Sequence, residues 1–247
     1  MPYEISVLGD KFLFFSLCSD AEISKAVSCG ARCVILLPSL VADFRVVGYE
    51  RQGNPLYDYY SAAVCAAVHL TRIRGLPLDE ISFETPQGIL EILCTGDGSF
   101  TVNIDKCKLL LSKNITICDC YTDVADIYVN AICRVMRLCD VARFDKKALR
   151  RLASAVLPLP CAVVLSSADK DVLRVRTYTD YNPAPPSSVL MYAAAAYNEL
   201  VWSDFEFLGK VFSFGKRSYC KVSKSFVCMT VMPTFVTEKS IHNDGIV

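Results

Sequence analysis

Two charge-free, alanine-rich stretches constrain this chain more than anything else in it: SAAVCAAV at residues 61–68 and MYAAAAY at 191–197. Their spacing is helical. A helix with no charge over two turns has no face to give to water, so both must be buried. Their small side chains also let surrounding strands approach closely. Each stretch follows a strand and an irregular turn. Setting Cys65 against Ala194 aligns the two and brings Tyr59 against Ser188. The chain therefore reads as a duplicated α+β fold: two similar domains, each a strongly curved, mostly antiparallel sheet around a central alanine-rich helix. The expected boundaries are 1–115 and 116–235, with a polar tail over 236–247 packing back on the first domain.

The flanking segments supply the strands. YEISVLG and KFLFFSLC are split by a Gly9–Asp10 turn, and DAEISKAVS over 20–28 reads as a short helix capped by Asp20. CVILLPS and ADFRVVGYE follow, then the turn RQGN and a helix from about 59 to 74 that Gly75 ends. DEISFETPQGILEILC and SFTVNID read as a meander turned at PQG and GDGS. In the second half ITICDC, DIYVNAICRVMRL and CAVVLSS read as strands, and FDKKALRRLASAV as an amphipathic helix with Asp145 near its start. LRVRTYTDY is a strand, NPAPPSS resets the backbone, and SVLMYAAAAYNEL is the second small-residue helix. FEFLGKVFSFG and YCKVSKSFVCMTVM close the chain.

Composition narrows the function classes. Lys plus Arg and Asp plus Glu both total 26 in 247 residues, so there is no overall basic field for nucleic acid, only room for a local patch. Hydrophobic residues make up 53% and charged residues 21%, the profile of a well-buried protein. No window reaches the roughly 18 apolar residues of a membrane span, and the N-terminus has neither signal-peptide nor transit-peptide character. Thirteen cysteines, an odd number lying mostly in apolar runs, point to free thiols in a reducing compartment, either cytoplasm or mitochondrial matrix. The close pairs are CGARC (Cys29, Cys33) and CDC (Cys118, Cys120). With two histidines, His69 and His242, and no zinc spacing, neither a metal nor a cofactor is expected.

The stretch from Asp43 to Ile92, DFRVVGYERQGNPLYDYYSAAVCAAVHLTRIRGLPLDEISFETPQGILEI, resembles the diaminopimelate epimerase family. ISFETPQG matches a strand of that family, and the N-terminal VLGDKF is similar to its GLGNDF. In the second half RVRTY, from Arg174, resembles the strand before the family's ERG turn. Residues 187–197 occupy the place of its second helix motif, and FVCMTVMPTFV, from Phe226, resembles its closing segment. The order covers most of the chain. Proline racemases and phenazine-biosynthesis-like isomerases share the same duplicated fold.

The resemblance implies a two-base racemisation. One cysteine removes a proton from a carbon while a second, on the opposite side, delivers one, each at a helix N-terminus that favours thiolate. Neither cysteine is present. The first position falls on Tyr59, or on Tyr60 with a one-residue shift, and the second on Ser188. A phenol of pKa near 10 and a hydroxyl with no histidine beside it are poor bases at pH 7. The substrate-binding positions are degenerate too. Asp10 and Glu50 stand where the family has asparagines, Thr179 and Asp180 stand at the ERG pair, and Asn130 is the one survivor, followed by Ala131 and Ile132. Cys65, two turns inside the helix, reads as a core thiol.

The expected function is therefore that of a pseudoenzyme: no catalytic residues, and a role as a structural, assembly or binding subunit, homo- or hetero-oligomeric. The candidate partner surface is the basic cluster Arg134, Arg137, Arg143, Lys146, Lys147, Arg150 and Arg151, which suits an acidic protein or RNA. The stiff proline loop NPAPPSS and the aromatics Trp202, Phe205, Phe207, Phe212 and Phe214 are further candidate surfaces. The competing reading is an isomerase or small-molecule binder whose site is rebuilt from Tyr59 or Tyr60, Ser188, Asp10 and Glu50.

Overall fold

The computed structural model describes residues 2–16, 19–28, 30–51, 53–57, 59–105, 107–117, 120–156, 162–169, 172–178, 188–203, 207–213, 216–223, 226–238, 241–242 and 245–246. In chain order the elements begin β1 (Tyr3–Val7), β2 (Asp10–Ser16), α1 (Asp20–Ser28), β3 (Cys33–Leu37), β4 (Phe44–Tyr49) and α2 (Tyr60–Val68). A π-helical turn, His69–Ile73, leads to β5 (Glu80–Thr85), β6 (Gly88–Cys94), β7 (Phe100–Asp105), β8 (Lys108–Ile117), β9 (Cys120–Tyr128) and β10 (Ile132–Arg137). Then come α3 (Lys146–Ala155), β11 (Ala162–Asp169), β12 (Val172–Tyr178), α4 (Ser188–Ser203), β13 (Phe207–Ser213), β14 (Lys216–Val222), β15 (Phe226–Val231) and β16 (Thr234–Glu238).

The chain forms two units. One holds residues 1–102 and 231–247, the other residues 103–230. In the first, the strand order runs β16-β1-β2-β3-β4-β5-β6-β7. Hairpin partners β1–β2, β3–β4 and β5–β6 are antiparallel, whereas β2–β3 and β4–β5 are parallel because α1 and α2 cross between them. The second unit repeats that connectivity. Its order is β15-β14-β13-β12-β11-β10-β9-β8. β9–β10, β11–β12 and β13–β14 are antiparallel, and α3 and α4 carry the parallel crossovers β10–β11 and β12–β13. Each unit is thus an α+β arrangement of one sheet with two crossover helices.

The second crossover helix of each unit is the core. Every residue of α2 is buried, and it packs against β1, β2, β3, β4 and β6. In α4, Val189 to Ala196 are all buried, packed on β9 through β14. Methyl-sized side chains are what let one helix meet so many strands at once. The first crossover helices are ordinary amphipathic covers. In α3, Leu149, Leu152 and Ala153 join Val124, Met136 and Leu165 in one apolar cluster, and Asp145 caps it by accepting the Ala148 N–H at 2.7 Å.

Three local readings change. The cap of α1 is Ser19 rather than Asp20: the Ser19 hydroxyl accepts the Glu22 N–H, and Glu22 accepts the Ser19 N–H at 2.9 Å, a reciprocal capping box. The stretch DIYVNAICRVMRL is not one strand but two. Asn130 adopts a left-handed conformation, φ 60°, and the turn closes with Val129 N–H donating to Ala131, a geometry asparagine tolerates better than most residues. The helix expected to run to 74 is α-helical only to Val68 and continues as the π turn.

Candidate functional site

In the first unit the region before α2 is built by a tight loop. Glu50 N–H donates to the Asn54 carbonyl at 2.7 Å and Gly53 N–H to the Glu50 carbonyl at 2.9 Å. Leu56 then folds back on Gly48, with its N–H on the Gly48 carbonyl at 2.9 Å. A Cβ on Gly48 would lie 2.1 Å from Leu56 Cδ1 and 3.1 Å from the Cys33 carbonyl oxygen, so a larger residue there would have to displace the Leu56 side chain. This loop delivers Tyr59 and Tyr60 to the start of α2. Both rings are buried, 2% and 4% exposed. Tyr59 is the N-cap residue, yet its side chain makes no capping bond. Its phenol oxygen instead lies against the Gly48 backbone N–H, and burial raises its pKa despite that bond. The phenol therefore stays protonated at neutral pH and has no basic character.

Asp10 and Glu50, the two acids that the resemblance aligns with substrate-binding asparagines, converge on Arg32. Arg32 Nε donates to Glu50 Oε2 at 2.7 Å, and its Nη1 lies 3.2 Å from Asp10 Oδ1. All three side chains are largely buried, at 12%, 22% and 8% exposure for Arg32, Asp10 and Glu50. The guanidinium also sits over the Phe12 ring at 5.8 Å. Burial nonetheless pushes the Glu50 carboxyl above its ordinary value. Arg32 pulls it back, and the Asp10 charge adds to the rise. One guanidinium thus serves both acids and balances one of their two charges. Cys65 is fully buried, and its thiol is pushed well up by burial first and by the Asp10 charge second, which makes it a core residue and no nucleophile.

In the second unit Ser188 is the first residue of α4 and is buried. Asn130 lies in the β9–β10 turn. Thr179, Asp180 and the proline segment 182–187 lie outside the described residues, as do Phe205 and Phe214 and the side chains of Phe207 and Phe212. Cys29 and Cys118 also lie outside them.

The basic cluster divides. Arg134 does not belong to the surface: it is 8% exposed, and its Nε and Nη2 each donate to Asp126 at 2.7 Å while Nη1 reaches the Val156 carbonyl at 2.8 Å. It sits on β10 opposite Asp126 of β9, where a buried charge must have a bidentate partner. Arg137 pairs with Glu199 at 3.3 Å and Arg143 with Asp140 at 3.5 Å. That leaves Lys146, Lys147, Arg150 and Arg151 exposed on α3.

Two residues that matter were not singled out from the sequence. Arg32 had one signal: a lone cation immediately before a buried strand. His69 had another: an imidazole inside an otherwise apolar helix. No group of three or more metal-ligating side chains occurs among the described residues, and none of the described helices is long and apolar enough to cross a membrane.

No protein-family model and no curated protein sequence matches the chain. Solved structures do match in fold. A phenazine biosynthesis protein of the PhzF family from Enterococcus faecalis superposes with a TM-score of 0.67 at 12% identity, covering 96% of this chain and 98% of its own. Its Bacillus anthracis counterpart gives 0.66 at 12%, covering 96% of each. A hydroxyproline epimerase from Agrobacterium vitis gives 0.66 at 10%, covering 100% of this chain and 89% of its own. The chain has the fold of these proteins.

Proposed function

We propose that this chain is a catalytically inactive relative of the epimerases and racemases whose fold it shares, a duplicated pair of curved sheets retained as a structural, assembly or binding subunit of a larger complex. The observation that carries this reading is the filled start of α2. Where the resemblance calls for a thiolate, two buried phenols stand, one of them on a backbone N–H with its pKa raised. The acids at the neighbouring binding positions are bound to Arg32. Stereoinversion at a carbon needs one group able to release a proton and one able to take it near neutral pH. Neither tyrosine nor the half-neutralised acids supply that pair. The fold without the chemistry leaves binding as the function, in a reducing compartment.

The α3 face supports an acidic partner, protein or RNA. Lys146, Lys147, Arg150 and Arg151 lie on the exposed side of one helix of ten residues, and their charges are not spent on ion pairs with other described residues.

Proton–deuterium exchange at the α-carbon of a panel of amino acids tests the loss of catalysis. No exchange above buffer is expected. Exchange that disappears in Ser188→Ala or Tyr59→Phe would establish the rebuilt isomerase site instead. The partner role is tested by native purification with and without ribonuclease. A stable assembly from which K147E/R151E is released is expected, ribonuclease sensitivity assigns RNA, and a salt-insensitive monomer in all conditions defeats the reading.

A further inference from the structure

The loop joining β3 to β4 is pinned at both ends while its apolar side chains face water. The Ser39 hydroxyl accepts the Val41 and Ala42 N–H groups, each at 3.1 Å, and donates to Glu84 at 2.6 Å. Asp43 fastens the other end to β5. Its N–H donates to the Ser82 hydroxyl at 3.0 Å, and its carboxylate accepts the Ser82 N–H and hydroxyl at 2.8 and 2.7 Å. Between these anchors Leu40 is fully exposed and Val41 is 65% exposed. A single leucine on a surface needs no explanation, but two adjacent aliphatic side chains held in water by a pinned loop form a knob.

Beside the knob, within the first unit, lies a recess of about 500 Å³. Leu36, Leu37 and Phe44, which flank the loop, line it together with Leu70 and Leu76 from the far side of the π turn. Leu76 is brought there by its N–H, which donates to the Leu70 carbonyl at 3.1 Å, and by Gly75 at φ 68°. Leu37 and Leu76 remain 37% and 39% exposed, so the recess is open to water. Leu40 and Val41 do not line it: the pinned loop holds the knob apart from the hole next to it. Two charges share the same recess, Arg74 and Asp43. Both are exposed, and neither makes an ion pair among the described residues. The bonds from the Ser82 hydroxyl and N–H hold the Asp43 carboxyl below its ordinary value, so it is charged at pH 7.

We propose that this patch is where two copies of the chain associate: about a two-fold axis, Leu40 and Val41 of each copy enter the recess of the other, and Arg74 of each faces Asp43 of the other. One small surface carries a knob, a hole, a cation and an anion, and each is the complement of another. In a two-fold contact residue i meets j while j meets i, so all four features are answered twice. A different partner would have to present the inverse of every one. A contiguous exposed apolar patch marks a contact site, and the pinned loop lowers the ordering cost of docking. The contact lies apart from α3 and stands independently of the function proposed above.

Sedimentation velocity of the full chain at pH 7, from about 1 to about 300 µM, tests this, because a contact this small should dissociate within that range. A reversible equilibrium of monomer and dimer with no larger species is expected. Leu40→Asp should weaken the dimer at least about tenfold, and Arg74→Glu, which turns two attractions into repulsions, by about tenfold. Both side chains are exposed, so circular dichroism and urea midpoints should not move. Asp43→Asn, which keeps an acceptor for Ser82, should weaken the dimer in the same direction. K147E/R151E on α3 should leave it intact, which separates this contact from the α3 face. A monomer throughout, open-ended oligomers, a dimer indifferent to Leu40→Asp or to Arg74→Glu, or one lost in K147E/R151E each overturns the proposal.

Discussion

Replacing Arg32 with methionine removes the cation between Asp10 and Glu50 and keeps most of the side-chain volume. At 2.7 and 3.2 Å, with an effective dielectric near 20, the lost attractions are about 6 and about 5 kcal/mol before desolvation is counted. Desolvating Arg32 itself offsets much of this, and a broken buried pair typically costs about 3–5 kcal/mol. Glu50 has an escape. Its carboxyl is already raised in the folded protein, so the neutral form is favoured there and its ionisation weakens the fold as pH climbs from the unfolded value through the folded one. Without Arg32 that rise grows, and proton uptake relieves the variant by at most about 1.4 kcal/mol per pH unit. Urea unfolding followed by circular dichroism should therefore show Arg32→Met about 3 kcal/mol less stable at pH 7, with the deficit smaller by about 2 kcal/mol at pH 5. Arg32→Met combined with Glu50→Gln should recover at least half the loss at pH 7. A deficit that does not change between pH 5 and 8, or a double variant no better than the single, would refute the account.

Other perturbations follow from the same geometry. Arg134→Met strands Asp126 in the β9–β10 core and should cost about 3–5 kcal/mol, read by urea unfolding, whereas Arg150→Met on exposed α3 should change stability by less than about 0.5 kcal/mol. The lowered His69 pKa means the neutral ring stabilises the fold above the ordinary histidine value. That contribution should fade as pH falls from 6.5 through about 4, by at most about 3 kcal/mol, and His69→Phe should flatten that limb of the stability curve. Thiol labelling of the native protein should modify exposed Cys139 rapidly, while Cys65 and Cys220, both buried with raised pKa values, should react only on unfolding.

The fold was legible where physics leaves one answer. The charge-free stretches 61–68 and 191–197 could only be core, and alternation in ISFET and FVCMTV matched strands whose alternate residues are buried. The site was legible only as a set of departures from the motifs of the family the sequence resembles. That Tyr59 and Tyr60 would be buried follows from their place before an apolar helix, but the partner of Asp10 and Glu50 lies 22 and 18 positions away on another strand's approach, a separation no local pattern reveals. The basic cluster misled for a similar reason. Arg134 and Lys147 look alike in a list of cations, and only strand pairing puts one opposite Asp126 and the other in water. His69 entered the sequence reading only as one of two histidines without zinc spacing, because nothing in a sequence says whether an imidazole has found its partners.

The alanine content of the two central helices has a consequence for how such a protein can drift. A position that must be no larger than a methyl group constrains volume, and volume can be conserved by alanine, serine, cysteine or glycine without keeping any residue's identity. Ala62, Ala63, Ala66 and Ala67, all at 0% exposure, leave no slack for enlargement, yet they ask nothing of the chemistry at either helix end. The chemistry at the ends of such rods is thus free to differ while the scaffold persists, which is how shape can agree at 10–12% identity.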